Sequence, residues 1–245
     1  LSASVTTDAR PLECLRNAVA TALRHITFTM PDIDLESLLS ALPDGPPCGP
    51  DLGYDPAFLA LEDAARGKSE QQFGDTIIAA EEPDWRTVDA HAQALIERSR
   101  DLRVLMHWLR ARTRLAGLPG FVELLPLVHG WLDRHWDHVH PALDADDNND
   151  PTMRMNALAP LADMSALLGD LRAASLARGR GGLRVRDIEL TLGKAQAETG
   201  ESSPSIDGVF QALTDAQTQE AGLLQRVKHA HESVCQLDEL LMQKV

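Results

Sequence analysis

Apolar positions along this chain follow a helical period almost throughout. Leu12, Leu15, Val19, Ala22 and Ile26 alternate by three and four, so the spacing predicts an amphipathic helix from Pro11 to about His25. Thr27 to Pro31 breaks that run, and Met30 followed by Pro-Asp-Ile-Asp-Leu reads as a native start, which makes residues 1–29 an extension. A short helix is expected around Leu35 to Ala41. From Leu42 to Pro50, Pro43, Pro46, Pro47 and Pro50 with Gly45 and Gly49 deny regular hydrogen bonding and predict an extended loop. Asp55-Pro56 supplies the cap and first-turn proline of the next helix, and Gly67 its stop.

Beyond Pro83 the period strengthens. Trp85, Val88, Ala92, Leu95 and Ile96 share one face, and Leu102, Leu105, Met106 and Leu109 share the next. Ser99 and Asp101 lie between them as caps, predicting two antiparallel helices, the second closed by Leu118-Pro119-Gly120. Phe121, Leu124, Leu125, Val128, Leu132, Trp136 and Val139 form a third stripe that ends at Pro141. After a polar loop from Asp144, Asp150-Pro151 opens a fourth helix that Pro160 should kink or divide. Arg178 to Gly182 reads as a turn, with Leu183, Val185 and Ile188 as the edge of a short hairpin before a brief helix from Asp187.

Gly193 to Pro204, rich in Gly, Ser, Thr and Glu, reads as a linker and places a domain boundary there. From Ile206 to the C-terminus apolar residues alternate by three and four with only Glu220 interrupting, which predicts one amphipathic helix over 206–245. Such a stripe must be covered, by the same chain, a second copy or another domain. Val209, Leu213, Leu223, Val227, Val234 and Leu237 are its candidate association surface. The expected fold is all-α: an antiparallel helical-hairpin bundle with a minor short β-hairpin, plus a long C-terminal amphipathic helix. The expected divisions are a helix-bearing extension (1–29), a helical domain (30–194), a linker (195–205) and the amphipathic helix (206–245) leading to a further C-terminal region.

Composition sharpens this picture. Aromatics are only 4% of 245 residues, against 44% apolar in total, which disfavours sheet. The net charge of −14 argues against nucleic acid and against an anionic membrane surface, since both are bound through Lys and Arg. Cys14, Cys48 and Cys235 are odd in number and far apart, unlike a disulfide framework or paired zinc ligands, so a reducing compartment fits. No apolar run approaches the roughly 20 residues of a membrane span and no secretory leader is visible, so the chain is read as cytoplasmic and not membrane-inserted.

Tests for chemistry turn out mostly negative. His129, His135, His138 and His140, with Asp133 and Asp137, form the one tempting cluster, but H-E-x-x-H is absent. A metal-dependent hydrolase using His135 and His138 is therefore a minor alternative. Trp136 and His140 read better as structural anchors, as does Trp85, with the His140 ring placed to donate at a helix end before Pro141. Asp144-x-Asp146-x-Asn148 resembles a calcium loop, yet Asn149 and Met155 occupy the positions that need Gly and Glu. Gly67-Lys68-Ser69 lacks the upstream glycine of a phosphate loop, and no G-x-S-x-G elbow occurs. No catalytic residue, cofactor or metal is expected.

Five strings carry a resemblance: Pro47-Cys48-Gly49-x-Asp51-Leu52-x-Tyr54-Asp55, Pro83-Asp84-Trp85, Ser99-Arg100-Asp101-Leu102-Arg103-Val104, Trp136-Asp137-x-Val139-His140-Pro141 and Arg154-x-Asn156-Ala157-Leu158. In this order, from about Met30 to Lys194, they resemble the ImpA-related N-terminal domain of TssA proteins of the bacterial type VI secretion system. The resemblance implies a helical, non-enzymatic cytoplasmic scaffold that contacts baseplate, tail tube, sheath or membrane-complex proteins and belongs to a family that forms homo-oligomers. A generic helical protein-binding adaptor is the alternative.

Overall fold

The computed structural model describes residues 33–68, 71–73, 76–176, 182–198 and 200–245. The helix expected over Pro11 to His25 lies outside them. Among the described residues the order is α1 (Leu35–Leu39), α2 (Pro56–Arg66), a hairpin of β1 (Gln71–Phe73) and β2 (Thr76–Ile78), α3 (Trp85–Ile96), α4 (Leu102–Ala116) and α5 (Leu118–His135). There follow α6 (Thr152–Leu158), α7 (Leu167–Ala173), α8 (Val185–Thr191), α9 (Ile206–Gln219) and α10 (Leu223–Lys244). Leu35–Val245 forms one compact unit.

Local chemistry sets these boundaries. Asp55, Asp84 and Asp101 each accept a hydrogen bond from a backbone amide two residues on, opening α2, α3 and α4. Gly117 alone joins α4 to α5: its φ of +70° reverses the chain, and a Cβ there would lie 2.4 Å from the Ser175 carbonyl oxygen. Pro160 divides the fourth predicted helix, which ends at Leu158 and passes through a 3₁₀ turn, Ala159–Leu161, before α7.

The α4–α5 hairpin is the core. Leu102, Leu105, Leu109, Leu124, Leu127, Val128, Trp131 and Leu132 are all fully buried, because neighbouring helices cover both α4 and α5 on several sides. α3, α6 and α7 pack on α4, while α1 and α10 pack on α5. α10 runs alongside α5 in the same direction. Leu223 at its start shares a cluster with Leu118 at the start of α5, and the Lys244 ammonium at its end sits 5.6 Å from the Trp136 ring centre just beyond α5.

Several expectations are revised. The stripe over 206–245 is two helices: the chain leaves α9 at Glu220, Gly222 takes φ +81°, and the long C-terminal helix is the 22-residue α10. The third stripe begins at Leu118, so Leu118-Pro119-Gly120 opens α5 and does not close α4. β1–β2 is a hairpin the pattern did not announce. The hairpin expected about residues 178–182 has its turn outside the described residues; among those described, Leu176 pairs with Leu183 and Ala174 with Val185, and Val185 and Ile188 are already helical. The segment read as a linker is tied back: the Arg186 guanidinium binds Glu201 at 2.8 Å and Glu198 at 3.2 Å, and Thr191 donates to the Pro204 carbonyl at 3.0 Å. That ion pair holds the Glu201 carboxyl at about 2.

Candidate functional site

Four of the five strings that carry the resemblance meet at one place; the fifth, Pro83-Asp84-Trp85, opens α3 at its far end. The loop Cys48–Asp55 lies across the connector between α3 and α4. Arg100 donates its amide to the Cys48 carbonyl at 2.8 Å, and the Ser99 hydroxyl donates to the carbonyls of Cys48 (3.1 Å) and Pro50 (2.8 Å). Ser99 is thus a clamp on the loop and not a helix cap. Gly49 makes this approach feasible: its φ is +72°, and a Cβ would stand 2.2 Å from the Arg98 carbonyl oxygen. From the other side, His140 joins in. Its amide donates to Arg100 at 3.1 Å, its carbonyl accepts from Leu102 at 2.8 Å, and its Nε2 donates to the Gly49 carbonyl at 3.0 Å. The donor at a helix end is His135, whose Nε2 meets the Leu39 carbonyl at 3.1 Å.

Two buried arginines lock this junction. Arg154, on α6, donates through Nη1 to the Trp136 carbonyl (2.6 Å), through Nη2 to Val139 (2.7 Å) and Pro141 (2.9 Å), and through Nε to Pro141 (3.2 Å). These carbonyls follow the C-terminus of α5, where the helix leaves acceptors unpaired and favours positive charge. Arg100 donates to Ile96 at 2.6 Å and to Ser37 and Ser40 at 3.3 Å. Together with Trp131 Nε1, which donates to Leu38 at 2.7 Å, it fastens α1, a helix too short to stand alone. Burial pulls both guanidinium pKa values down. A third arginine, Arg112, is fully buried against Asp89 at 3.1 Å; burial pushes the Asp89 carboxyl above its usual range even though Arg112, Trp108 and Gln93 favour its charge.

The loop turns its one aromatic side chain outward. Leu52 is buried, Asp51 bonds the Gly53 amide at 2.9 Å and Arg103 at 2.7 Å, and Asp55 pairs with Arg98 while capping α2. Burial works against the Arg103 charge, but Asp101 and Asp51 outweigh it and raise its pKa. Between these fixed neighbours Tyr54 is 99% exposed. Sequence reasoning included Tyr54 in a string without assigning it a role; nothing in periodicity distinguishes a displayed aromatic from a buried one.

Little here suits bond-making chemistry. Burial pushes the Cys48 thiol up to about 11, so it is neutral at physiological pH despite nearby Arg100 and Arg154. No group of three His, Cys, Asp or Glu side chains that could hold a metal occurs among the described residues. Within the imidazole cluster, His135 and His140 each spend a ring nitrogen on a backbone carbonyl. Outside that cluster, burial and the Arg110 charge lower His107, on α4, from 6.5 to about 4. Because the unfolded chain takes up this proton first, stability is full above pH 6.5 and falls as pH drops toward 4, by about 3 kcal/mol at most. Urea unfolding at pH 7 and pH 4.5 should show this loss, and His107→Leu should remove that part of the slope.

The remaining predicted residues divide. Trp136 is buried under the Arg154 guanidinium, 4.8 Å from its ring centre. Trp85 is half-buried between Arg110 and Arg114, at 5.2 and 5.3 Å, and both arginines bind Asp170 at 2.7 Å. In the C-terminal stripe Val209, Leu223 and Leu237 are buried within the chain and Val227 is half-buried, whereas Leu213 and Val234 are exposed.

Comparison with known proteins now bears on this arrangement. The family model described as "ImpA, N-terminal, type VI secretion system" matches residues 39–163, a span that encloses Cys48, Gly49, Arg100, His140 and Arg154. The chain belongs to this family. Among ImpA N-terminal relatives, the type VI secretion system component TssA1 of Pseudomonas aeruginosa is 49% identical over 129 residues, covering 53% of this chain. The match spans only 38% of that relative's length. A solved structure, the N-terminal domain including the conserved ImpA_N region of the TssA component from Burkholderia cenocepacia, superposes with a TM-score of 0.60 at 24% identity, covering 88% of this chain and 84% of that one. It shows the same fold. The junction of loop and arginines is thus part of the ImpA N-terminal region itself, and no described helix is long and apolar enough to cross a membrane.

Proposed function

We propose that this chain is a non-enzymatic assembly module of the type VI secretion apparatus, working in the cytoplasm by docking baseplate, tail tube or sheath proteins. The observation that carries this reading is the use made of the polar groups at the junction. Ser99, Arg100, His140 and Arg154 are spent on backbone carbonyls, which fixes a loop in place, and the aromatic that loop offers to solvent is Tyr54. A tyrosine held on a rigid turn loses little freedom on binding, and such aromatics dominate interface energetics.

The purified chain should therefore bind at least one recombinant baseplate, tube or sheath protein from the same secretion system. Tyr54→Ala should weaken that binding about 30-fold, corresponding to about 2 kcal/mol, while leaving thermal unfolding unchanged. Titration calorimetry against each component checks this. Absence of binding to all of them, or equal binding by the variant, contradicts the proposal.

A further inference from the structure

We propose that His231 and Cys235 form half of a transition-metal site on the outer face of α10, completed by the same pair from a second copy of the chain. The two residues are four apart on a helix, so both leave the same face one turn apart. Cys235 Sγ lies 4.0 Å from His231 Nδ1, and both side chains are exposed. Zinc bound tetrahedrally to one sulfur and one imidazole nitrogen holds those atoms roughly 3.5 Å apart, so chelation needs only a small rotamer adjustment. Sulfur and imidazole together suit zinc better than a hard cation.

One pair leaves a tetrahedral ion half-coordinated, and no third ligand joins it among the described residues. The register of α10 supplies the rest. The helix spans Leu223–Lys244, so its midpoint lies between Ser233 and Val234, and the His231–Cys235 pair is centred on Ser233. Two copies of α10 packed antiparallel through their outer faces, with the two-fold axis level with Ser233, set His231 opposite Cys235 of the other copy. The same register sets Lys228 opposite Asp238 and Leu224 opposite Met242, all four exposed in the single chain. Charge and apolar positions therefore match in the antiparallel arrangement, whereas a parallel pairing, which would also gather four ligands, sets Lys228 against Lys228 and Asp238 against Asp238. The inner face of α10, with Leu223, Ala230, Ser233 and Leu237 buried, is committed to the chain's own core and is not disturbed.

Binding requires the thiolate, so each Cys235 releases its proton to solvent, two per bridging ion, and affinity rises with pH. The test uses the chain without a metal-affinity tag. Zinc titration followed by sedimentation should give one ion per two chains and a doubled mass that a chelator reverses. His231→Ala and Cys235→Ser should each weaken zinc binding at least about tenfold without changing the melting temperature. Cobalt in place of zinc should show thiolate charge-transfer absorption that Cys235→Ser abolishes. Lys228→Asp should weaken the zinc-bound dimer, and adding Asp238→Lys should restore it. Zinc taken up with no change of mass, zinc binding equal in both ligand variants, or no zinc binding overturns the proposal.

Discussion

Arg154→Ala should lower the stability of the Leu35–Val245 unit by about 4 kcal/mol, which for a unit of this size is about 10 °C in melting temperature. The arginine is fully buried and holds the Trp136, Val139 and Pro141 carbonyls with four hydrogen bonds. Truncation leaves three acceptors dry and opens a cavity beneath Trp136, and both effects cost free energy. Two further substitutions separate the causes. Arg154→Met refills the volume and removes a buried charge, a change that is neutral at many sites, but here the carbonyls stay unpaired and most of the loss should remain. Arg154→Lys keeps the charge, yet a single ammonium cannot span three carbonyls arranged around a planar fork. Urea unfolding of the three variants checks this, and a loss under about 1 kcal/mol for alanine contradicts the role given to Arg154.

The second large effect is expected at Gly49. Alanine there meets two penalties: a left-handed backbone at φ +72°, and a Cβ 2.2 Å from the Arg98 carbonyl oxygen, a backbone atom that cannot step aside cheaply. Together they should cost about 4 kcal/mol or displace the loop from Ser99, Arg100 and His140. Gly45→Ala is the internal control: φ is +83° but no atom lies within 4 Å, so only the conformational part, about 1 kcal/mol, should appear. Amide exchange across Cys48–Tyr54 should accelerate in Gly49→Ala and stay near wild type in Gly45→Ala. Equal behaviour of the two variants contradicts the tight docking of this loop.

These two positions also mark what the sequence reveals and what it hides. Helix existence was legible because apolar residues recur with the helical period, and Asp55, Asp84 and Asp101 cap where their spacing indicates. The junction was not legible, because its bonds link segments between 13 and 93 residues apart through backbone carbonyls, which carry no sequence signature. A trace of it was present. Arg154 shares a helix face with buried Leu158, and Arg112 lies among Ala111, Thr113 and Ala116 on a buried stripe. An arginine in the apolar phase of a helix points to a buried partner, although not to which one. The break at Gly222 was hidden for a different reason: the alternation of three and four continues across it, and only the glycine beside Glu220 hinted that the chain turns there.

On the function proposed, this member of the ImpA N-terminal family acts by displaying a fixed surface and not through chemistry among its imidazoles. The most direct test is secretion itself, in a strain whose complete gene carries either Tyr54→Ala or His138→Ala, with the tail-tube protein measured in the culture medium and protein levels matched. His138 is exposed in the imidazole cluster, so its replacement should leave secretion unchanged, whereas Tyr54→Ala should reduce it severalfold. Normal secretion with Tyr54→Ala together with failure with His138→Ala would overturn the proposed function.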